Sequence, residues 1–324
     1  MPIRNSVLLL AIGWIGVFVA CAFVQNRALS AAEQITAPPI YSSGRVLYVG
    51  PTRDLKAPSE AAVIARRGDR VAIDPGTYFD CAIWRAPDIS LVGVGPGYAD
   101  IRGVSCDGKA LWVFYDGPAR VENVRFSGAK ARWRNGAGIR WEGRGWLVVE
   151  KSSFVRNEMA ILTHNKHVSS LYVADSTFDD NGFCDTYCGH AIYAGLIAKT
   201  VIWNSVFRNT RFGHHIKSRA LESQIIGNRL SDGVAGTASY AINMPNSGSG
   251  IIRGNKIQKG PKSDNIFCAI CIGEEIVAPG KPRPRTGVRN PSAGIVIEDN
   301  KFLNDSGRSE TVFVWNRGGD PVTL

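Results

Sequence analysis

Residues 171–178 read LYVADSTF: an apolar run rich in β-formers, then a polar residue at Ser176, then an aromatic at Phe178. The phrase recurs along the chain as LVVEKSSF, TVIWNSVF, QIIGNRL, GIIRGNKI and IVIEDNKF. Its apolar ends are Phe154, Phe178, Phe207, Leu230, Ile257 and Phe302, and two residues before each stands Ser152, Ser176, Ser205, Asn228, Asn255 or Asn300. Successive ends are 24, 29, 23, 27 and 45 residues apart. Phe126 opens the series with Val124 at the polar position.

A period of about 25 residues suits a leucine-rich repeat or a β-helix. The LxxLxL framework is absent, and Val, Ile, Phe and Trp dominate without helical periodicity. Each unit holds a second β-rich run: GIRWEG, AILTHN, AIYAGL, HIKSRA, AINMPN and AICIGE. Strands that recur once per coil stack in parallel. The Ser/Asn column then reads as an inward ladder whose side chains satisfy buried polar groups from coil to coil.

Upstream, residues 57–78 read APSEAAVIARRGDRVAIDPGTY. Pro58 and Ser59 open a short helix, Ala61, Ala62, Ile64 and Ala65 give it an apolar face, and Gly68 ends it. Such a helix covers the open apolar end that a solenoid must cap. The expected fold class is all-β, a right-handed parallel β-helix solenoid with a short N-terminal capping helix. This segment and the coils resemble the pectin-lyase-like family over about residues 44–320. The resemblance implies the fold and leaves the activity open.

The expected organisation is a signal peptide or signal anchor over 1–32, a linker over 33–43 and the β-helix domain over 44–324. Arg4 precedes 18 uncharged residues, Val7 to Val24, and small residues follow at Ala28–Ala32; this is a secretory pattern. The run is at the short limit for spanning a bilayer, so membrane association through an uncleaved N-terminus is the alternative. Phe18-Val19-Ala20-Cys21 loosely resembles a lipoprotein cleavage box.

Net charge is +10 for the whole chain and +8 without residues 1–30, since Arg4 and Arg27 leave with no acid. An exported basic protein attracts polyanions. Acidic polysaccharide is the expected partner, and nucleic acid is not. Loss of Cys21 leaves six of the seven cysteines, an even number that reads as disulfides. Cys184 and Cys188 can close a small loop, and Cys81 and Cys106 can join neighbouring coils. Pairing Cys268 with Cys271 on a strand needs distortion.

Aligning the second strands on Ile139, Ile161, Ile192, Ile216, Ile242 and Ile270 and letting side chains alternate places His215, Lys217 and Arg219 outward. Tyr193 and Asn243 flank Lys217 on adjacent coils, with His164, Arg140 and Glu142 further along. At the 4.8 Å spacing of strands these form one continuous polar strip. It is framed by the loop 182–189 and by the Pro/Arg/Lys-rich insertion 274–294.

Polygalacturonase-type hydrolases carry NTD, DD, GHG and RIK motifs on successive coils. Gly189-His190-Ala191 and His215-Ile216-Lys217 resemble the last two. Asn135-Gly136-Ala137 and Asn157-Glu158 stand where the acids belong, so the pair of carboxylates that inverting hydrolysis requires is missing. Lyases and epimerases of uronate polymers instead remove a proton beside a carboxylate, which needs a cation and a base. On that reading Arg219 takes the carboxylate, Lys217 or His215 is the base and Tyr193 gives a proton to the leaving oxygen. His164, Asn243, Arg140, Glu142 and His190 bind substrate. No metal or cofactor is expected, because calcium in place of the arginine needs an oxygen-ligand cluster that the sequence does not display. The alternative function is a non-catalytic polysaccharide-binding or envelope protein.

Overall fold

The computed structural model describes residues 35–39, 43–103, 105–185, 188–265, 267–276 and 288–324. The expected signal or anchor segment lies outside these residues. Among them no helix is long and apolar enough to cross a membrane.

From Val46 onward the chain winds as a parallel β-solenoid of about 10 turns. Three parallel sheets, here I, II and III, hold 11, 9 and 9 strands. Each complete coil contributes one strand to each sheet in that order, as in Ser169–Ala174, Thr177–Asp179 and Ile192–Ala194. Every ladder is parallel with direct register. Phe154 pairs with Phe178 and Phe178 with Phe207 in sheet II. Ile161, Ile192, Ile216, Ile242 and Ile270 pair in turn in sheet III. The core is therefore built of like residues stacked on like, with Phe126, Phe154, Phe178 and Phe207 at ring separations of 5.1, 4.9 and 4.4 Å.

The polar column is a ladder. The backbone N–H of Ser152 donates to Ser176 Oγ at 3.1 Å, Ser176 to Ser205 at 3.2 Å, and Ser205 to Asn228 Oδ1 at 3.0 Å. Asn228 donates to Asn255 at 2.8 Å and Asn255 to Asn300 at 2.9 Å. The preceding residue adopts positive φ in each coil: Lys151, Asp175, Asn204, Gly227, Gly254 and Asp299. A left-handed residue turns the chain sharply from sheet I to sheet II, and the next side chain supplies the acceptor that the corner leaves wanting. A second ladder, Asn157 to Asn181, marks the corner between sheets II and III.

Helix α1 (Pro58–Ile64) packs on the first strands of sheets I and III. Pro58 and Ala61 are buried, whereas Ile64 is exposed, so the apolar face is narrower than expected. The helix ends at Ile64, before Gly68, because Ala65 is already extended. Disulfides join Cys81 to Cys106, Cys184 to Cys188 and Cys268 to Cys271.

Candidate functional site

Sheet III carries the candidate site on its outer face. Its outward column runs Arg140, Leu162, Tyr193, Lys217, Asn243 and Cys271. Leu162 interrupts the charge between Arg140 and Tyr193, so the strip is not continuous. Arg140 instead pairs with Glu142 at 2.8 Å on its own strand end.

A cleft of about 890 Å³ lies over this face. Among the described residues its cationic lining is Arg132, Arg134, Arg140, Lys217 and Arg219, against the acids Asp185 and Asp264. Low-dielectric walls lined by one sign of charge concentrate the field along such a cleft.

Three of the four expected catalytic groups meet here. Arg219 Nε donates to the Tyr193 hydroxyl at 2.9 Å and its Nη1 to Asn246 Oδ1 at 2.5 Å. Arg219 Nη2 also donates to Glu275, and Lys217 Nζ reaches the other oxygen of that carboxylate at 2.7 Å. Both cations lie over the Tyr193 ring, 5.6 and 5.7 Å from its centroid. Arg219 is almost fully buried. Burial works against its charge, yet Tyr193 and Glu275 outweigh that and raise its pKa further. Burial likewise pushes the Glu275 carboxyl up, but Lys217 and Arg219 reverse this and hold it below its ordinary value. Its neighbour Glu274 is displaced the other way: burial dominates and raises it, despite a hydrogen bond from Asn243.

His215 does not belong to this group. It is fully buried inside the coil, with Nδ1 at 2.7 Å from Thr210 Oγ1 and Nε2 at 2.9 Å from Asp232 Oδ1. The strand begins only at Ile216. Residue 215 is still in the corner, where period-two alternation does not operate. His164 fails for the same reason at the other end. The strand stops at Thr163, and His164 Nε2 turns to Gly143 O at 2.8 Å and Ser169 Oγ at 2.7 Å. Asn243 keeps its outward register but is buried beneath Glu274. Glu158 braces the neighbouring loop, accepting from the N–H groups of Ala131 at 3.0 Å and Gly136 at 2.8 Å.

His190 does line the cleft, together with His214, which the alternation rule had not selected. The two rings stack at 4.6 Å, and His214 stacks on Tyr240 at 4.8 Å. The legible signal was Gly-His at 189–190 and again at 213–214, one coil apart. A Cβ on Gly189 would strike Glu158 O, and one on Gly213 would strike Gly189 O. Each glycine lets its coil approach the one before it, which brings the following histidines into contact. Glu275 was also missed, because the insertion 274–294 was read for its basic residues; 277–287 lie outside the described residues. Asn290, at its far end, donates to the carbonyls of Arg219 and Ala220 at 3.1 and 3.0 Å.

Among the described residues no group of three or more His, Cys, Asp or Glu side chains could hold a metal ion. The chain matches no family model and no curated protein. Its fold is similar to that of Escherichia coli YbhC, with a TM-score of 0.50 and 14% identity over 83% of this chain and 87% of that one. The likeness supports a pectin-lyase-like β-helix fold, and at that identity it carries the fold alone.

Proposed function

We propose that the protein is exported and binds an acidic, uronate-containing polysaccharide along the cleft of sheet III. The observation that carries this reading is the lining charge, five cations against two acids on one concave face among the described residues. A parallel solenoid repeats its outward positions every 4.8 Å or so, which suits a periodic, extended ligand. The three disulfides support an oxidising compartment.

Lyase or epimerase chemistry is the second reading, favoured by the contact of Arg219 with Tyr193. The Tyr193 oxygen accepts from the guanidinium, so its own proton remains available for a leaving oxygen. The substrate carboxylate would displace Glu275 and pair with Arg219, and Lys217, once it has released its own proton to solvent, would then be the remaining candidate base. Standard hydrolysis is disfavoured, because Glu158 is committed to backbone donors.

The test combines retention on immobilised polygalacturonate and alginate with the ultraviolet absorbance of newly formed unsaturated ends. Binding alone predicts salt-dependent retention, weakened in Lys217→Ala, with no absorbance rise. A rise abolished by Lys217→Ala and Tyr193→Phe, with retention largely kept, establishes the lyase. Failure of both assays on every acidic polymer removes the proposal.

A further inference from the structure

We propose that His190 and His214 form a paired-donor subsite that receives a carboxylate of the bound ligand. The inference rests on the reading of the cleft as a polyanion groove and assigns it a specific recognition element. His190 Nδ1 accepts the backbone N–H of His214 at 2.9 Å, and His214 Nδ1 accepts that of Tyr240 at 3.2 Å. A backbone N–H can only donate, so each Nδ1 must present its lone pair. The proton of each neutral ring therefore sits on Nε2. Taking up a second proton would place it on Nδ1 and break the backbone bond.

Both rings are more than nine-tenths buried, yet both residues line the cleft. Among the described residues neither Nε2 has a hydrogen-bond partner, the bonds of both rings being made at Nδ1. Two N–H donors thus open on the cleft, held one coil apart by a stack with Tyr240 on one side and the edge of Tyr193 on the other. The charges acting on them are cationic: Lys217 and Arg219 on His190, and Lys217 and Lys259 on His214. Burial first, then Lys217 and Arg219 for His190, and the neighbouring His190 ahead of Lys217 and Lys259 for His214, hold both rings well below the ordinary imidazole pKa. A pair that only donates, in a cationic field, selects an anionic group that only accepts. Lys217 and Arg219 are already engaged by Glu275, whereas these two donors are unengaged.

The chain holds five histidines, so imidazole ¹⁵N resonances can be assigned one by one. The test is ¹H–¹⁵N correlation spectroscopy of the full chain between pH 5.5 and 8, with hexagalacturonate, cellohexaose and sodium acetate as probes. Exposed His167 and interior His164 and His215 serve as references. The expected result is an Nε2–H tautomer for His190 and His214 across the range, with both Nε2 signals shifted by hexagalacturonate and not by cellohexaose. Acetate distinguishes a free carboxylate from one presented on a polymer. An Nδ1–H tautomer, or titration of either ring within the range, overturns the inference. Binding of hexagalacturonate without movement of these signals overturns it while leaving the polysaccharide reading intact. If hexagalacturonate does not bind, that reading fails; a selective acetate shift then upholds the donor pair, and no shift overturns it.

Discussion

Lys217 and Glu275 are 58 residues apart in sequence and joined by a 2.7 Å ion pair at the edge of the cleft. The same carboxylate holds Arg219, so both central cations of sheet III share one acid from the insertion, which offsets one of their two charges. Any anionic ligand that reaches them competes with Glu275. Glu275→Gln is therefore expected to tighten retention on polygalacturonate and steepen its salt dependence, since exposed charge is screened over about 8 Å at physiological ionic strength. The same change is expected to cost roughly 1–2 kcal/mol of stability, discounted from the fully buried case because Glu275 is partly exposed. Unchanged retention would mean that the two cations do not meet the ligand.

The ladder predicts a graded series at Asn228. Its Oδ1 accepts from Ser205 N–H and its Nδ2 donates to Ile202 O at 2.9 Å. Asn228→Ala strands both backbone groups, at a cost of about 2–4 kcal/mol. Asn228→Ser, which restores the acceptor used at Ser205 and Ser176, is expected to cost about half as much. Urea midpoints of the two variants check the order.

Coil contact predicts an effect at Gly213. A methyl group there meets Gly189 O and comes within 2.7 Å of His190 Nδ1. Gly213→Ala should destabilise the chain by about 1–3 kcal/mol and disturb the His190–His214 stack, visible as a shift of both imidazole spectra.

Buried Lys259 predicts a stability gain on the alkaline side. Burial pulls its pKa down to about 8, against the opposing influence of Asp232 and Asp264. Between about pH 8 and its ordinary 10.5 the unfolded chain holds a proton that the folded chain has released, so stability rises with pH across that window. Below it the penalty is complete, on the order of 3 kcal/mol. Lys259→Met should flatten the rise and remove part of that penalty at pH 7, where the lost bond to Ser239 O offsets some of the gain. Denaturation curves at pH 7, 8.5 and 10 measure it.

On the acid side, His190 and His214 remain neutral in the fold while the unfolded chain protonates near pH 6.5. Stability should fall as pH drops below 6.5, by about 1.4 kcal/mol per pH unit for each such ring. His214→Gln is expected to reduce that slope by one proton, and an unchanged slope would contradict the neutral assignment.

What the sequence displays well is whatever lies within a strand or recurs at a fixed place in the coil. The isoleucine alignment of sheet III and the Ser/Asn ladder are of this kind, because parallel stacking repeats identical environments and so repeats residue types. Outward placement of Tyr193 and Lys217 followed from the same register. The errors fall at strand ends. His215 and His164 sit one residue beyond strands of three and five residues, where the corner has already rotated the chain. His214 gained the outward face by the same rotation. Glu275 was hidden for another reason. A pairing across more than 50 residues leaves no local pattern, and the net charge of its insertion suggested the opposite role.

The affinity of the intact protein for polygalacturonate, measured against ionic strength beside a neutral glucan of equal length, tests the central claim most directly. The account predicts binding to the acidic polymer that weakens steeply with salt, is reduced in Lys217→Ala and strengthened in Glu275→Gln, and is absent for the glucan. Equal binding to both polymers, or binding indifferent to salt and to both substitutions, would contradict it.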